Sequence, residues 1–368
     1  MSGTSLDSID AALVKIDGEQ CTLIDSLEYA IPAALRLNLL DLCQPGNNEI
    51  DRMGEADRHL GRIFSSAVLD LLKKSGKTPA DIVAIGSHGQ TIRHRPAVRH
   101  AFTLQIGDPN TIAYETQITT VADFRRRDVA AGGQGAPLAP AFHRAFFGSD
   151  QDNRAIINIG GMANITFLGS NGDYLGYDTG PGNTLLDAWI NEKRQLRYDH
   201  DGQWASTGRV NEPLLARLFL HPYFSQSLPK STGREDFNLS WLQSNLEQDE
   251  LPPEDIQATL LELSSQSIMN AVLTLPKPVN QIYICGGGAH NPALMERLNK
   301  LALASTIENP GEQPPEIKNT EELGIAAEWV EAAAFAWLAK QTIEGKTGNM
   351  LQATGADREV ILGAIYPA

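Results

Sequence analysis

Cysteine is scarce in this chain of 368 residues: Cys21, Cys43 and Cys285 are few, scattered and odd in number. That excludes a disulfide scaffold and a cysteine metal knuckle, and it leads us to expect a reducing, cytoplasmic setting. Basic residues are in deficit, 30 Lys and Arg against 45 Asp and Glu, for a net charge of −15. A nucleic-acid backbone needs a basic surface, so nucleic acid is not expected as a partner. No window approaches about 18 uncharged apolar residues, so no membrane span is expected. No charged segment followed by an apolar run opens the chain, and no secretory signal is expected. Low-complexity segments and long linkers are absent. None of the glycine turns continues into Gly-Lys-[Ser/Thr], which rules out a Walker A loop, and no clean G-x-G-x-x-G follows a first strand, which makes a dinucleotide fold a poor fit.

What remains is an ordinary globular composition, 42% hydrophobic and 20% charged, long enough for two domains. The first ten residues, Met1-Ser-Gly-Thr-Ser-Leu-Asp-Ser-Ile-Asp10, read as a tight turn feeding a strand at 11–16. Backbone N–H groups and hydroxyls there suit an anion, and a carboxylate beside them suits Mg²⁺, held directly or through water. A second strand is expected at 21–31, then helices at 32–43 and 48–74 with Gly76 as the stop. Short strands are expected at 81–87, 102–106 and 119–122. A loop follows Phe124-Arg-Arg-Arg-Asp128, and a helix spans 138–147. The pattern then restarts: strands at 154–159, 164–168 and 173–177, a glycine turn at 178–183, and helices at 184–193 and 254–275. A strand at 281–285 runs into Gly286-Gly-Gly288, followed by helices at 292–304 and 320–341. The tail around 359–362 reads as a strand or an apolar anchor. Strand, glycine turn and strand thus occur in the same order twice, at Gly3 and at Gly160-Gly161, without close sequence repetition. Three glycine turns in this order point to a nucleotide cleft between two α/β halves.

Asp178 is the leading candidate for a general base, the alternative being a turn cap. His88, in Gly86-Ser-His-Gly-Gln-Thr91, is either a satisfied loop histidine or a partner for sugar hydroxyls. Arg125, Arg126 and Arg127 are either a solvated basic run or, two of them at most, an anion clamp. Glu331 faces either solvent or the cleft. His94, His100 and His143 show no metal spacing.

Several stretches together resemble the anhydro-N-acetylmuramic acid kinase family, a branch of the actin, Hsp70 and sugar-kinase superfamily. They are Met1–Asp7, Gly86–His94, Ala122–Leu138, Asn158–Asn164 and Asp178-Thr-Gly-Pro-Gly-Asn183. The similarity runs essentially from end to end. It implies an α/β fold of two ribonuclease H-like, actin-like domains (βββαβαβα) around an ATP cleft. We place the first domain at residues 1–135, completed by 340–368, and the second at 136–339. It also implies a cytoplasmic enzyme of cell-wall recycling that uses ATP and Mg²⁺. The enzyme would open 1,6-anhydro-N-acetylmuramic acid and phosphorylate O6, giving N-acetylmuramic acid 6-phosphate. By motif, Gly3, Thr4, Ser5, Leu6, Asp7, Ser8, Ile9 and Asp10 surround the ATP phosphates, with Asp7 and Asp10 near the metal. Gly160 and Gly161 form the second phosphate turn, and Gly286, Gly287, Gly288 and Asn291 lie on the adenosine side. Asp178 matches the general base, and His88, Gln90, Arg125, Arg126 and Glu331 match sugar-side positions. A homodimer is compatible with this reading.

Two departures stand out. A phosphate hairpin needs strands on both sides, so an apolar strand is expected ahead of Met1. Ser8 stands where the family motif usually has Gly, so a turn with positive φ would carry mild strain there. The rival readings are a non-catalytic, nucleotide-gated regulator of the same superfamily, another sugar or carboxylate kinase, and, last, a dehydrogenase.

Overall fold

The computed structural model describes residues 1–3, 8–18, 20–246, 250–308 and 313–368. The chain divides into two compact units: Met1–Phe147 with Trp329–Ala368, and Gly148–Glu328.

The first unit begins with a long antiparallel hairpin, β1 (Ser8–Asp17) and β2 (Gln20–Ala30). Helices α1 (Ala33–Leu42) and α2 (Glu49–Lys74) follow. The apolar stripe of α2 places Leu60, Phe64, Leu71 and Leu72 in the core, while Ile50 at its start is exposed. A short strand β3 (Ile85–Ser87) leads into the hairpin β4 (Gln90–Arg95) and β5 (Phe102–Ile106). Helix α3 (Pro109–Thr116) starts on Asp108, whose carboxylate accepts from the N–H groups of Asn110 and Thr111. Strand β6 (Thr120–Ala122), α4 (Phe124–Ala130) and α5 (Ala139–Phe147) complete the first stretch of this unit.

The second unit is one five-stranded sheet. Strands β7 (Arg154–Ile159), β8 (Met162–Leu168) and β9 (Tyr174–Pro181) form an antiparallel meander. Helices α6 (Thr184–Arg194), α7 (Glu212–Phe219), α8 (Leu239–Leu246) and α9 (Pro253–Leu273) follow. Strand β10 (Gln281–Cys285), α10 (Pro292–Glu308) and β11 (Glu316–Asn319) close it, with β10 parallel to both β7 and β11. The order β11-β10-β7-β8-β9, with this element sequence, follows the expected βββαβαβα topology up to β11; the next α-helix belongs to the first unit. Residues 155–159 of β7 are all buried, as in a central strand covered on both faces. Helix α9 packs on β8 and β9. Its buried Glu262 takes two hydrogen bonds from Arg297 of α10, at 2.5 and 2.6 Å.

The chain then returns to the first unit with α11 (Val330–Ile343), α12 (Leu351–Thr354) and β12 (Ala364–Tyr366). β12 pairs antiparallel with β6, and β6 parallel with β3. The observed division therefore falls at Gly148 and Trp329 rather than at 136 and 340. The reason is aromatic packing: Trp337 of α11 lies 6.3 and 6.4 Å from Phe142 and Phe146 of α5, which brings both helices into one unit.

Other sequence expectations are corrected here. The helix expected over 320–341 is broken, because Gly324 takes a left-handed φ of 92° after a short 3₁₀ turn. Ser8 lies in β1 rather than at a positive-φ turn, so the expected strain is absent. The glycine turn expected at 178–183 is in its first half strand, since β9 runs through Asp178 to Pro181. Residues 124–130 are helical. Among the described residues no helix is long and apolar enough to cross a membrane.

Asp128 ties the tail to the rest of the first unit. Fully buried on α4, its carboxylate accepts from Gly135 N–H at 2.8 Å, Asn349 Nδ2 at 3.0 Å and Thr354 Oγ1 at 2.8 Å. Removing it takes the partner from Gly135 N–H and leaves Asn349 Nδ2 and Thr354 Oγ1 with only longer bonds to the Arg358 and Met350 carbonyls, at 3.2 and 3.5 Å. Asp128→Ala should lower stability by about 3 kcal/mol and Asp128→Asn by less, read from the urea midpoint. An unchanged midpoint would contradict this.

Candidate active site

In the first unit, a polar cluster forms where β3 hands over to β4. His88 is buried there. Its Nδ1 lies 2.9 Å from the Gly89 carbonyl, and Arg125 Nε donates to its Nε2 at 3.0 Å. A guanidinium can only donate, so Nε2 is the acceptor and Nδ1 carries the proton. Burial, then the Arg125 charge, hold the His88 pKa well below its ordinary value. Arg125 Nη1 also donates to the Gly135 carbonyl at 2.7 Å, so the arginine is fixed at two points. The Phe335 ring lies 4.6 Å from the His88 ring. Glu331 stands one helical turn before Phe335 on α11, on the same face. Met1's amino group is near both Asp10 and Glu331: burial lowers its pKa and the two carboxylates raise it.

Gln90 is almost fully buried, and its Oε1 has no hydrogen-bond partner. Ser2 Oγ, Arg93 Nε, His94 Nε2 and Gln105 Oε1 are also buried atoms without a hydrogen-bond partner, although His94 and Gln105 are half-buried as residues. Buried polar atoms are nearly always paired, so these orphans on and near one strand hairpin are unusual. Arg126 is not part of this cluster. It turns to the surface and pairs with Asp123, with Nε to Oδ1 at 2.7 Å. The sequence reading assigned no role to His94 and did not single out Gln105; the register places them on the face of the hairpin opposite Gln90, since Thr91 pairs with Gln105 and His94 with Thr103 while Gln90 pairs with Ile106.

Asp10 lies in β1, half-buried, with Ser8 Oγ donating to its Oδ1 at 3.2 Å. Thr4, Ser5, Leu6 and Asp7 lie outside the described residues. Among the described residues there is no group of three His, Cys, Asp or Glu side chains that could hold a metal. One hard carboxylate, Asp10, suits a Mg²⁺ that keeps most of its waters and binds phosphate oxygens.

In the second unit, two glycine turns gather at one end of the sheet. Gly160 and Gly161 join β7 to β8. The carbonyls of both accept from the start of α6, from Asn183 N–H at 2.9 Å and Thr184 N–H at 3.1 Å. Gly286–Gly288 follows β10. A Cβ on Gly286 would lie 2.3 Å from Asn158 Oδ1, and one on Gly288 would lie 2.4 Å from Ile159 Cγ2. Both glycines are therefore needed to bring this turn against the end of β7. Gly287 has nothing within 4 Å of that position and is the exposed one, open to an approaching ligand. Asn291 Oδ1 accepts from Leu294 N–H at 3.2 Å, at the start of α10. A parallel strand pair ending in glycine turns with a helix start beside them is where open α/β sheets bind phosphorylated ligands.

Asp178 is buried on β9, opposite Asn164 of β8, whose Oδ1 is buried without a partner. A loop from a distant part of the chain holds Asp178. Thr232 N–H donates to Oδ2 at 2.9 Å, Asp178 N–H donates to the Lys230 carbonyl at 3.3 Å, and Tyr223 O–H donates to the Asp178 carbonyl. Lys230 Nζ sits 4.6 Å from the Tyr223 ring centre. Burial lowers the Lys230 pKa, and the Asp178 charge opposes that. Burial, then Asp178, raise the Tyr223 phenol, which keeps it a donor.

A profile of the family described as anhydro-N-acetylmuramic acid kinase matches residues 1–368. The chain belongs to that family. Curated relatives of the same description come from Shewanella pealeana, 50% identical over 372 residues, and Saccharophagus degradans, 52% over 371. A third, from Coxiella burnetii, is 52% identical over 368 residues. The matches cover all of this chain and 97%, 97% and 96% of the relatives. Membership makes the chain a phosphotransferase of cell-wall recycling, and it favours catalysis over the nucleotide-gated regulator.

The buried histidines set a pH dependence. Burial pushes His94 down to about 4 from an ordinary 6.5, and His143 to about 3. The folded chain then binds fewer protons than the unfolded one below 6.5. Stability is full above that value and falls as pH drops from 6.5 towards 4. His94→Gln should flatten this decline by up to about 1.4 kcal/mol per pH unit. Unfolding curves at several pH values check it, and an unaltered slope would contradict it.

Proposed function

We propose that this chain cleaves the internal ether of 1,6-anhydro-N-acetylmuramic acid with water while passing the γ-phosphoryl group of ATP to O6. The observation that carries the reading is Asp178, a carboxylate fixed on a buried strand at the glycine-turn end of its sheet. Asp178 takes a proton from a water as that water attacks the anomeric carbon. The C1–O6 bond breaks, O6 bonds to the γ-phosphorus, and ADP leaves. The products are N-acetylmuramic acid 6-phosphate and ADP, so atoms and charge balance. An inverting glycosidase needs a second carboxylic acid to protonate the leaving oxygen. Here the phosphoryl group captures that oxygen, so one carboxylate suffices.

The other groups bind and orient. Gly160, Gly161 and Gly287 offer backbone to the nucleotide phosphates. The buried acceptor Gln90 Oε1 takes up a donor of the sugar, and neutral His88, whose two ring nitrogens bond Gly89 and Arg125, holds the Arg125 guanidinium in place. Asp10 would hold Mg²⁺ through water, and the ion, when bound, neutralises charge on the β- and γ-phosphates. The substrate and product belong to the cytoplasmic side of cell-wall turnover, which suits the scarcity of cysteine.

ADP release measured with and without the anhydro sugar tests the proposal. Asp178→Asn should lower kcat by about 10³-fold while ATP binding stays within roughly threefold. Unchanged turnover would remove Asp178 from this role. Gln90→Leu should raise KM for the sugar about tenfold and leave kcat and the melting temperature nearly unchanged. An equal loss of kcat would show that Gln90 acts elsewhere.

A further inference from the structure

Three serines of α9, Ser264, Ser265 and Ser267, are buried. A buried helical serine ordinarily bonds back to its own helix. Ser265 and Ser267 do so, donating to the Leu261 and Ser264 carbonyls at 2.8 and 3.0 Å. Ser264 does not. Its Oγ leaves the helix and donates to the Gly182 carbonyl at 2.8 Å, 82 residues away in the chain.

The Gly182 carbonyl shares a peptide unit with the Asn183 N–H, which donates to the Gly160 carbonyl at 2.9 Å. The Gly160 carbonyl in turn shares a peptide unit with the Gly161 N–H. Both units are trans, so each N–H points opposite to its own C=O. The result is a directed row: Ser264 O–H to Gly182 C=O, Asn183 N–H to Gly160 C=O, and Gly161 N–H at the far end. Among the described residues the Gly161 N–H has no acceptor. Hydrogen bonds in such a row polarise one another, because a carbonyl that accepts makes the N–H of its own unit a stronger donor.

Packing keeps the row in line. A Cβ on Gly182 would lie 2.5 Å from the Gly160 carbonyl oxygen, so only glycine lets the two units meet. Gly182 N–H and Thr184 N–H donate to the Gly161 carbonyl at 2.9 and 3.1 Å, which holds the turn against rotation. The gripping segment, 182–184, continues directly from β9, the strand that carries Asp178.

We propose that Ser264 is a positioning residue for phosphoryl transfer, acting through these two peptide units to aim and polarise the Gly161 N–H at the transferred phosphate. The inference rests on the reading above, in which the Gly160–Gly161 turn faces the nucleotide phosphates, and it names the side chain that sets that turn.

Ser264→Ala is compared with Ser265→Ala, which removes an equally buried hydroxyl that serves the helix alone. Ser264→Ala should lower kcat about tenfold with KM for the anhydro sugar held within about twofold, and Ser264→Thr, which keeps the hydroxyl, should restore kcat to within about threefold. Ser265→Ala should leave kcat unchanged. Amide NMR supplies a second readout. With a non-hydrolysable ATP analogue bound, the Gly161 amide proton should move downfield in the unaltered chain and by less in Ser264→Ala. If Ser264→Ala does not fold, Ser264→Cys, similar in shape with a weaker donor, should show both losses in part. Unchanged kcat in the Ser264 variants, or equal losses in Ser264→Ala and Ser265→Ala, would overturn the proposal. A Gly161 signal that moves as far in Ser264→Ala as in the unaltered chain overturns it and leaves the phosphate turn in place. A Gly161 signal that the analogue leaves unmoved in the unaltered chain overturns both.

Discussion

A carboxylate on a buried strand needs a partner, and Asp178 finds it in the backbone of a loop more than fifty residues away. The Thr232 N–H fixes one oxygen, while Tyr223 and Lys230 hold the main chain on either side of the carboxylate. The proposed reaction depends on this clamp, because a base that rotates would lose the water it has to activate. The clamp in turn rests on the aromatic packing beneath it, since Tyr223 and Phe237 are buried and meet edge to face at 5.8 Å. The strand that carries Asp178 runs towards the same end of the sheet as the glycine turns after β7 and β10.

The first unit holds buried polar atoms on and near the β4–β5 hairpin without internal partners, each at a cost on the order of 1–3 kcal/mol. Burial and Arg125 keep His88 uncharged, and its two ring nitrogens bond Gly89 and Arg125.

Buried central strands were legible in the sequence. Residues 154–159 and 281–285 are continuous apolar runs ended by glycines, and their bounds match the structure. Strand β4 was not legible, because Gln90-Thr-Ile-Arg-His-Arg95 is polar on both faces. Helix α3 was hidden by its Pro-Asn-Thr start, which reads as a turn until the Asp108 cap is seen. The 178–183 stretch read as a turn because Gly-Pro-Gly dominates it, yet cross-strand pairing with β8 extends β9 through Pro181. The resemblance put His88, Arg125 and Asp178 on the page early. It could not separate Arg125 from Arg126, because one helical residue decides which guanidinium meets His88 and which meets Asp123.

The most direct test of the central claim follows the oxygen of water. The reaction is run in ¹⁸O-labelled water with ATP and the anhydro sugar, and the products are analysed at once by mass spectrometry and NMR. The account predicts label on the anomeric oxygen of the sugar 6-phosphate and none in its phosphate group. Label in inorganic phosphate, without a sugar phosphate, would show that the activated water attacks ATP instead and would contradict it.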